Sequence, residues 1–255
     1  MRRESIHMSE LQIVAHRGAA TDAPENTIAA FERAIDLGAD AVELDVRLTS
    51  DHVPVVYHYY YLENNSSASG AIFGFTWEQL QQVELRSKSG AGATGRISAL
   101  AEILERFGGR IGLEIDMKGP EPEAPAIIGA ILRRYKGIWH TLEVTSYEPA
   151  LLLSMQEECP GLATDLLMPR SDAWKKPDVV QHEAIQYSRL AHARAVHLHP
   201  SQLSPALVAA VREQGIEVHA WDVNDQQALE LVADLGIPRL DTDNLGQALA
   251  FRGRS

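Results

Sequence analysis

The chain has little with which to staple itself, span a bilayer or hold a polyanion. Cys159 is the only cysteine in 255 residues, so no intramolecular disulfide and no thiolate-rich metal site is available, and a reducing, cytoplasmic compartment fits. No apolar run approaches the ~20 residues that cross a membrane. The polar start from Met1 to Gln12 lacks the apolar stretch of a secretory leader, and residues 1–9 are set aside as an N-terminal extension, disordered or tag-derived. Positive charge is scarce: 23 Lys and Arg stand against 35 Asp and Glu, for a formal charge of −12. That balance excludes nucleic acid, which is held through phosphate-neutralising basic surfaces, and opposes stable attachment to an anionic membrane. It leaves room for a small anionic substrate, because a bound metal and a few cations reverse the field locally. Linkers, repeats and composition shifts are also missing, so residues 10–255 are read as one domain. Nothing in the sequence specifies an oligomeric state.

What is present is an ordinary globular balance, 45% hydrophobic and 23% charged, arranged as short apolar runs alternating with helical patterns. The expected strands are Ile13–Ala15, Ala41–Leu48, Ile111–Met117, Leu142–Thr145, Ala163–Met168, Ala195–Leu198, Glu217–Trp221 and Arg239–Thr242. Between most of them lie amphipathic helices. Thr27–Leu37 follows Asn26 as N-cap and stops at Gly38, Ser204–Gln214 opens on Ser-Pro and stops at Gly215, and Asp225–Leu235 stops at Gly236. Strand–helix alternation implies a parallel sheet with right-handed crossovers, and eight units imply closure into a (β/α)8 TIM barrel. A doubly wound open sheet is the alternative, but His16-Arg17-Gly18 after the first strand is not the glycine-rich phosphate turn it would bring. One stretch breaks the rhythm. Residues 53–96 hold an extended run, Val53–His58, a tyrosine- and serine-rich segment, a short helix near Trp77–Val83 and a glycine-rich loop. They are read as an insertion over the barrel mouth, where such loops shape substrate access.

Active sites of these barrels lie at the C-terminal ends of the strands, and titratable groups gather there. The first strand ends in His16-Arg17. The second carries Glu43 and Asp45, two apart and therefore on one face, and His58 ends the apolar run after it. The third carries Glu114, Asp116 and Lys118, the seventh ends in Trp221-Asp222-Val223-Asn224, and the eighth in Asp241-Thr242-Asp243. Taken singly, each has an ordinary reading: a satisfied strand-end histidine, carboxylates paired with Arg47 or Lys118, a surface lysine, a tryptophan packed in the core. Taken together, they put several carboxylates at one mouth, which is costly unless a cation compensates. Oxygen-only ligands point to a hard divalent metal, Mg²⁺ or Ca²⁺. A hard cation with two histidines, an arginine and a lysine suits phosphodiester cleavage: the cations stabilise charge on the phosphoryl oxygens and the histidines divide the proton transfers.

The same residues resemble a known family. Val14-Ala15-His16-Arg17-Gly18, Pro24-Glu25-Asn26-Thr27 with Phe31 and Ala34, Gly38-Ala39-Asp40 and Glu43-Leu44-Asp45-Val46 are similar to the opening signature of glycerophosphodiester phosphodiesterases. The resemblance continues through Pro54-Val55-Val56 to His58, Leu113–Gly119, Trp221–Asn224 and Thr242-Asp243. It implies His16 and His58 as the acid/base pair, Glu43, Asp45 and a third-strand acid as metal ligands, and Arg17 and Lys118 on the phosphate, with Trp221 in the substrate-binding set. It implies a reaction in which a glycerophosphodiester and water give glycerol 3-phosphate and an alcohol, by way of attack of the neighbouring glycerol hydroxyl on phosphorus and a cyclic phosphate.

Two positions depart from the family pattern. Tyr59 follows His58 where an aspartate is usual, and the run continues as Tyr60-Tyr61-Leu62-Glu63-Asn64-Asn65. The third-strand motif is Asp116-Met117-Lys118 rather than Glu-x-Lys. On that strand Glu114 and Asp116 share a face, but each residue advances ~3.3 Å, so Glu114 lies ~6–7 Å deeper; Asp116 is expected to be the ligand and Glu114 the second choice, beneath it. Two other functions stay open: a lysophospholipase D or sphingomyelinase D-like phosphodiesterase, favoured by an apolar rim around residues 59–75, and a non-catalytic barrel that binds a phosphate ligand, disfavoured by the presence of both histidines.

Overall fold

The computed structural model describes residues 10–87 and 94–253. The N-terminal extension and the glycine-rich stretch 88–93 of the insertion lie outside the described residues.

Eight parallel strands close on themselves: β1 (Gln12–Ala15), β2 (Ala41–Leu48), β3 (Gly112–Met117), β4 (Leu142–Ser146), β5 (Ala163–Leu167), β6 (Ala195–Leu198), β7 (Glu217–Ala220) and β8 (Arg239–Thr242). Each pairs with its neighbour in sequence, and β8 returns to β1, where Val14 aligns with Asp241. The barrel is the one expected, with every bound within one residue of its sequence reading. Helices fill the crossovers, as in the first, α1 (Ile28–Leu37). Its cap differs from the expectation: the Oγ1 of Thr27 accepts the N–H of Ala30, and Asn26 is free to turn its amide elsewhere. Gly38 ends the helix at φ 93°, a left-handed conformation that allows its N–H to reach the carbonyls of Ala34 and Ile35.

The period of two in each strand divides the barrel chemically. Outward residues such as Val42, Leu44, Val46, Leu113, Ile115, Val144, Val196, Val218 and Leu240 join the helices in the main apolar core. The inward set is largely polar: Glu43, Asp45, Glu114, Asp116, Glu143, Asp165, His197, His219 and Asp241 are all buried and none belongs to that core. Barrel interiors of this type are usually filled by branched apolar side chains, so this one relies on ion pairs and hydrogen bonds where others rely on packing.

The insertion departs after β2. Pro54–Val56 folds back antiparallel on it, with Val46 opposite Val56. Two single-turn helices, a short helix at Trp77–Leu80 and a hairpin of Glu84–Arg86 with Thr94–Arg96 follow. The segment has its own small core of Val55, Tyr57, Leu62, Ile72, Leu80, Val83, Leu85 and Ile97. No helix among the described residues is long and apolar enough to cross a membrane.

Candidate active site

The site begins with a sharp turn at the end of β1. Arg17 has φ 59° and Gly18 φ 82°, two successive left-handed residues that reverse the chain into the loop before α1. Only glycine fits the second position, because a Cβ there would sit 2.8 Å from Ala30 and Phe31. The turn aims the backbone N–H of Arg17 at Oε2 of Glu43, 3.0 Å away, and leaves His16 at the mouth.

Glu43 and Asp45 of β2 stand in register with Glu114 and Asp116 of β3. One carboxylate oxygen from each of Glu43, Asp45 and Asp116 lies within 4.8 Å of the others. The Nζ of Lys118 lies 2.7 Å from Oδ1 of Asp45 and also donates to Oδ2 of Asp116. Arg17 places Nε 3.1 Å from Oδ2 of Asp45 and Nη1 3.3 Å from Glu25. Asn26, the residue that does not cap α1, donates to Oδ2 of Asp45 at 2.6 Å and accepts the backbone N–H of Asp45 at 3.1 Å. Burial alone would raise Asp45, but Lys118 and Arg17 outweigh it and hold the carboxyl well below its ordinary value. Glu43 is pushed well above its ordinary value by burial and by Asp45, and Asp116 is raised by burial. Glu114 lies on the same face one pleat deeper, where Nη2 of Arg239 donates to its Oε2 at 3.1 Å.

The two histidines line the same cavity, of about 330 Å³, with Arg17, Glu43, Asp116, Lys118, Trp221 and Asp243. Nδ1 of His16 lies 2.7 Å from Oδ1 of Asp243, and its Nε2 lies 3.9 Å from Oε2 of Glu43. His58 is pushed down to about 3 by burial, reinforced by the positive charges of Arg17 and Lys118, so its ring is neutral at physiological pH. Its Nδ1 makes no hydrogen bond among the described residues. The backbone carbonyl of His58 accepts Nε of Arg47 at 2.8 Å, and the ring of Tyr60 covers the same guanidinium at 3.9 Å. Trp221 meets His199 edge-on with ring centres 5.4 Å apart. The residue after it, Asp222, is left-handed at φ 62°.

His16, Arg17, Glu43, His58, Asp116, Lys118 and Trp221 therefore line one cavity, Glu114 and Asp241 line its floor, and Asp45 is buried against Asp116 and Lys118 without lining it. Four contributors were not assigned roles from the sequence: Asp243 behind His16, Asn26 on Asp45, Arg47 on the His58 carbonyl, and Tyr147, whose ring lies 5.8 Å from Nζ of Lys118. Asp243 stands in the Thr-Asp pair that ends β8 and could have been proposed as an orienting acid on that ground. Arg47 gave no such signal.

The donor set suits a hard cation. It offers three buried carboxylates, with no sulfur and no nitrogen, and Oδ1 of Asp116 makes no hydrogen bond among the described residues.

The sequence model of the glycerophosphoryl diester phosphodiesterase family matches residues 16–247. The chain is 30% identical over 239 residues to YhdW of Bacillus subtilis (strain 168), covering 91% of this chain and 94% of that protein. It is 29% identical over 240 residues to a protein of Caldanaerobacter subterraneus subsp. tengcongensis named glycerophosphodiester phosphodiesterase, covering 91% of this chain and 93% of the relative. Among solved structures it is similar to an Oleispira antarctica phosphodiesterase in complex with the product sn-glycerol-3-phosphate, with a TM-score of 0.80, 25% identity, and coverage of 96% of this chain and 97% of that one.

Proposed function

The chain belongs to the glycerophosphoryl diester phosphodiesterase family, and from that premise we propose a metal-dependent hydrolysis of glycerophosphodiesters to glycerol 3-phosphate and an alcohol at the mouth formed by β1, β2 and β3. It is an enzyme of the phosphoric diester hydrolase class. The observation that carries the reading is the convergence of two histidines on one cavity with Glu43 and Asp116, whose carboxylates cluster with that of the buried Asp45.

Glu43, Asp45 and Asp116 would hold the metal, Mg²⁺ or Ca²⁺, which when bound supplies positive charge to a phosphoryl oxygen. Arg17 and Lys118 add positive charge to the pocket, which Trp221 also lines. His58, kept neutral by burial, is the base that takes the proton of the attacking glycerol hydroxyl. His16 is held with Nδ1 on Asp243, which orients the ring and leaves Nε2 to protonate the departing alkoxide. The cyclic phosphate then opens with the two roles exchanged, His16 taking the proton of water. Residues 10–255 act as one catalytic domain, with the insertion forming part of the mouth.

A second substrate class has support of its own. Tyr60, Tyr61 and Phe73 are exposed apolar rings on the insertion, with Tyr60 and Phe73 ring centres 6.4 Å apart. Such a rim suits the chain of a lysophospholipid. A panel of soluble glycerophosphodiesters and lysophospholipids, read by release of the head-group alcohol with Mg²⁺ or Ca²⁺ and with the phosphate product identified as glycerol 3-phosphate or its acyl ester, tests both. Release from the soluble esters supports the first reading; release from lysolipids alone favours the second; release from neither contradicts both.

A further inference from the structure

Beneath the mouth, the interior of the barrel holds a second constellation that the proposed reaction does not use. Glu114 of β3, His197 of β6 and Asp241 of β8 each offer one donor atom within 4.8 Å of the others, and all three residues are buried. Nδ1 of His197 lies 3.5 Å from Oε1 of Glu114. Yet neither atom makes a hydrogen bond among the described residues, and neither does Oδ1 of Asp241.

A neutral His197 has one tautomer that its contacts satisfy. Nε2 of His197 lies 3.1 Å from Nδ1 of His219 and 3.5 Å from Oδ2 of Asp165. Nε2 of His219 lies 3.3 Å from Oε2 of Glu217. The assignment that satisfies this chain puts protons on both Nε2 atoms: His219 donates to Glu217, and His197 donates to Nδ1 of His219 beside Asp165. Nδ1 of His197 is then a bare lone pair aimed at two carboxylate oxygens. Three acceptors facing one another with no donor between them is an arrangement that only a cation or an added proton makes favourable. The back of the ring, held by another imidazole and a carboxylate, is the usual support of a metal-ligating histidine.

Charge points the same way. The inner layer contains four carboxylates, Glu114, Glu143, Asp165 and Asp241, and two guanidiniums. Arg239 reaches Glu143 at 2.5 Å, and Arg194 reaches Asp165 at 2.5 Å and Glu143 at 2.6 Å. The layer thus holds two more acids than guanidiniums, a difference that either bound protons or one divalent cation makes up. Access exists, because Glu114 and Asp241 also line the floor of the mouth cavity.

We propose that Glu114, His197 and Asp241 form a second cation site in the barrel core, separate from the Glu43/Asp45/Asp116 site and different in preference. One imidazole nitrogen with two carboxylate oxygens selects Mn²⁺, Co²⁺ or Zn²⁺, whereas the all-oxygen mouth suits Mg²⁺ or Ca²⁺. The site does structural work, tying β3, β6 and β8 together where apolar packing is missing.

The test uses Co²⁺ on chelator-stripped full-length protein, with stoichiometry by elemental analysis and visible absorption as readouts. The native chain should take up a Co²⁺ ion that survives in the mouth double variant E43Q/D45N, with the absorption of a nitrogen-containing site and a raised Tm. D241N and H197N should each lose that ion and its spectrum. If E43Q/D45N binds no Co²⁺, or if D241N and H197N keep both the ion and its spectrum, the site does not exist. A Co²⁺-free E43Q/D45N that is folded by circular dichroism would mean instead that Asp241 and Glu114 share a proton.

Discussion

Asp45 and Asp116 face each other in register across β2 and β3, and the ammonium of Lys118 reaches both. An acid on each of two adjacent strands and a lysine two residues beyond the second make a clamp whose spacing is fixed by the sheet, not by flexible loops. The register choice on β3 follows from it. Asp116→Asn should weaken Mg²⁺ or Ca²⁺ binding by at least ~10-fold, since it removes a charged ligand oxygen. Glu114→Gln should leave that affinity nearly unchanged while destabilising the fold by ~1–3 kcal/mol, because it removes one of the two charged partners of the buried Arg239 and leaves Glu143. Isothermal titration with each metal, alongside denaturant unfolding, separates the two; a larger affinity loss in Glu114→Gln would move the ligand down the strand.

His16→Ala and His58→Ala should each lower kcat by ~10²-fold or more with the fold intact, since each deletes one proton-transfer group. The Asp243→Asn variant should reduce kcat as well, by weakening the contact that orients the His16 ring. Single-turnover kinetics on a soluble glycerophosphodiester checks all three. A near-normal kcat in either alanine variant would make that histidine structural.

Burial and the neighbouring cations lower His58 to about 3, against an unfolded value of ~6.5. Between those values the unfolded chain binds a proton that the folded chain does not, so this group makes stability fall as pH is lowered through the window. His58→Gln should flatten the acid slope of unfolding free energy by up to one proton. Ring-carbon NMR should also show a neutral His58 at pH 5. A His58 that titrates near pH 6.5 would remove the basis for its assignment as the base.

The barrel was legible because every strand carries outward apolar residues at a period of two between capped helices, a local signal. The chemistry at β1, β2 and β3 was legible for the same reason, since Glu43, Asp45, Asp116 and Lys118 hold their spacing within single strands. Pairings across the barrel were not. Asp243 meets His16 only because β8 returns to β1, and nothing local in either segment announces it. Asn26 resembles a helix cap in the sequence because the same amide that caps helices also bonds carboxylates, and Thr27 beside it caps equally well. The polar inner layer of Glu143, Asp165, His197, His219 and Arg239 went unseen, because a charged residue at every second position of a strand reads equally as a solvent face until closure shows that face to be inside.

Tyr60 rests on Arg47, and Arg47 holds the carbonyl of His58, so the aromatic rim is coupled to a proposed catalytic residue only through its backbone. Tyr60→Ala or Tyr61→Ala should therefore change the relative kcat/KM between long-chain and small head-group esters by several-fold while changing kcat on the best substrate little. An equal loss on every substrate would show the rim to be scaffold.

The central claim is that the carboxylate clamp carries a metal on which glycerophosphodiester hydrolysis depends. It is tested most directly by following glycerol 3-phosphate release from one soluble glycerophosphodiester with chelator-stripped enzyme, before and after Mg²⁺ or Ca²⁺ is restored, in the native chain and in Asp116→Asn. The account predicts no release from the stripped enzyme, full recovery on metal addition in the native chain, and recovery in Asp116→Asn only at much higher metal concentration, if at all. Undiminished release from native enzyme shown to be metal-free by elemental analysis would contradict it.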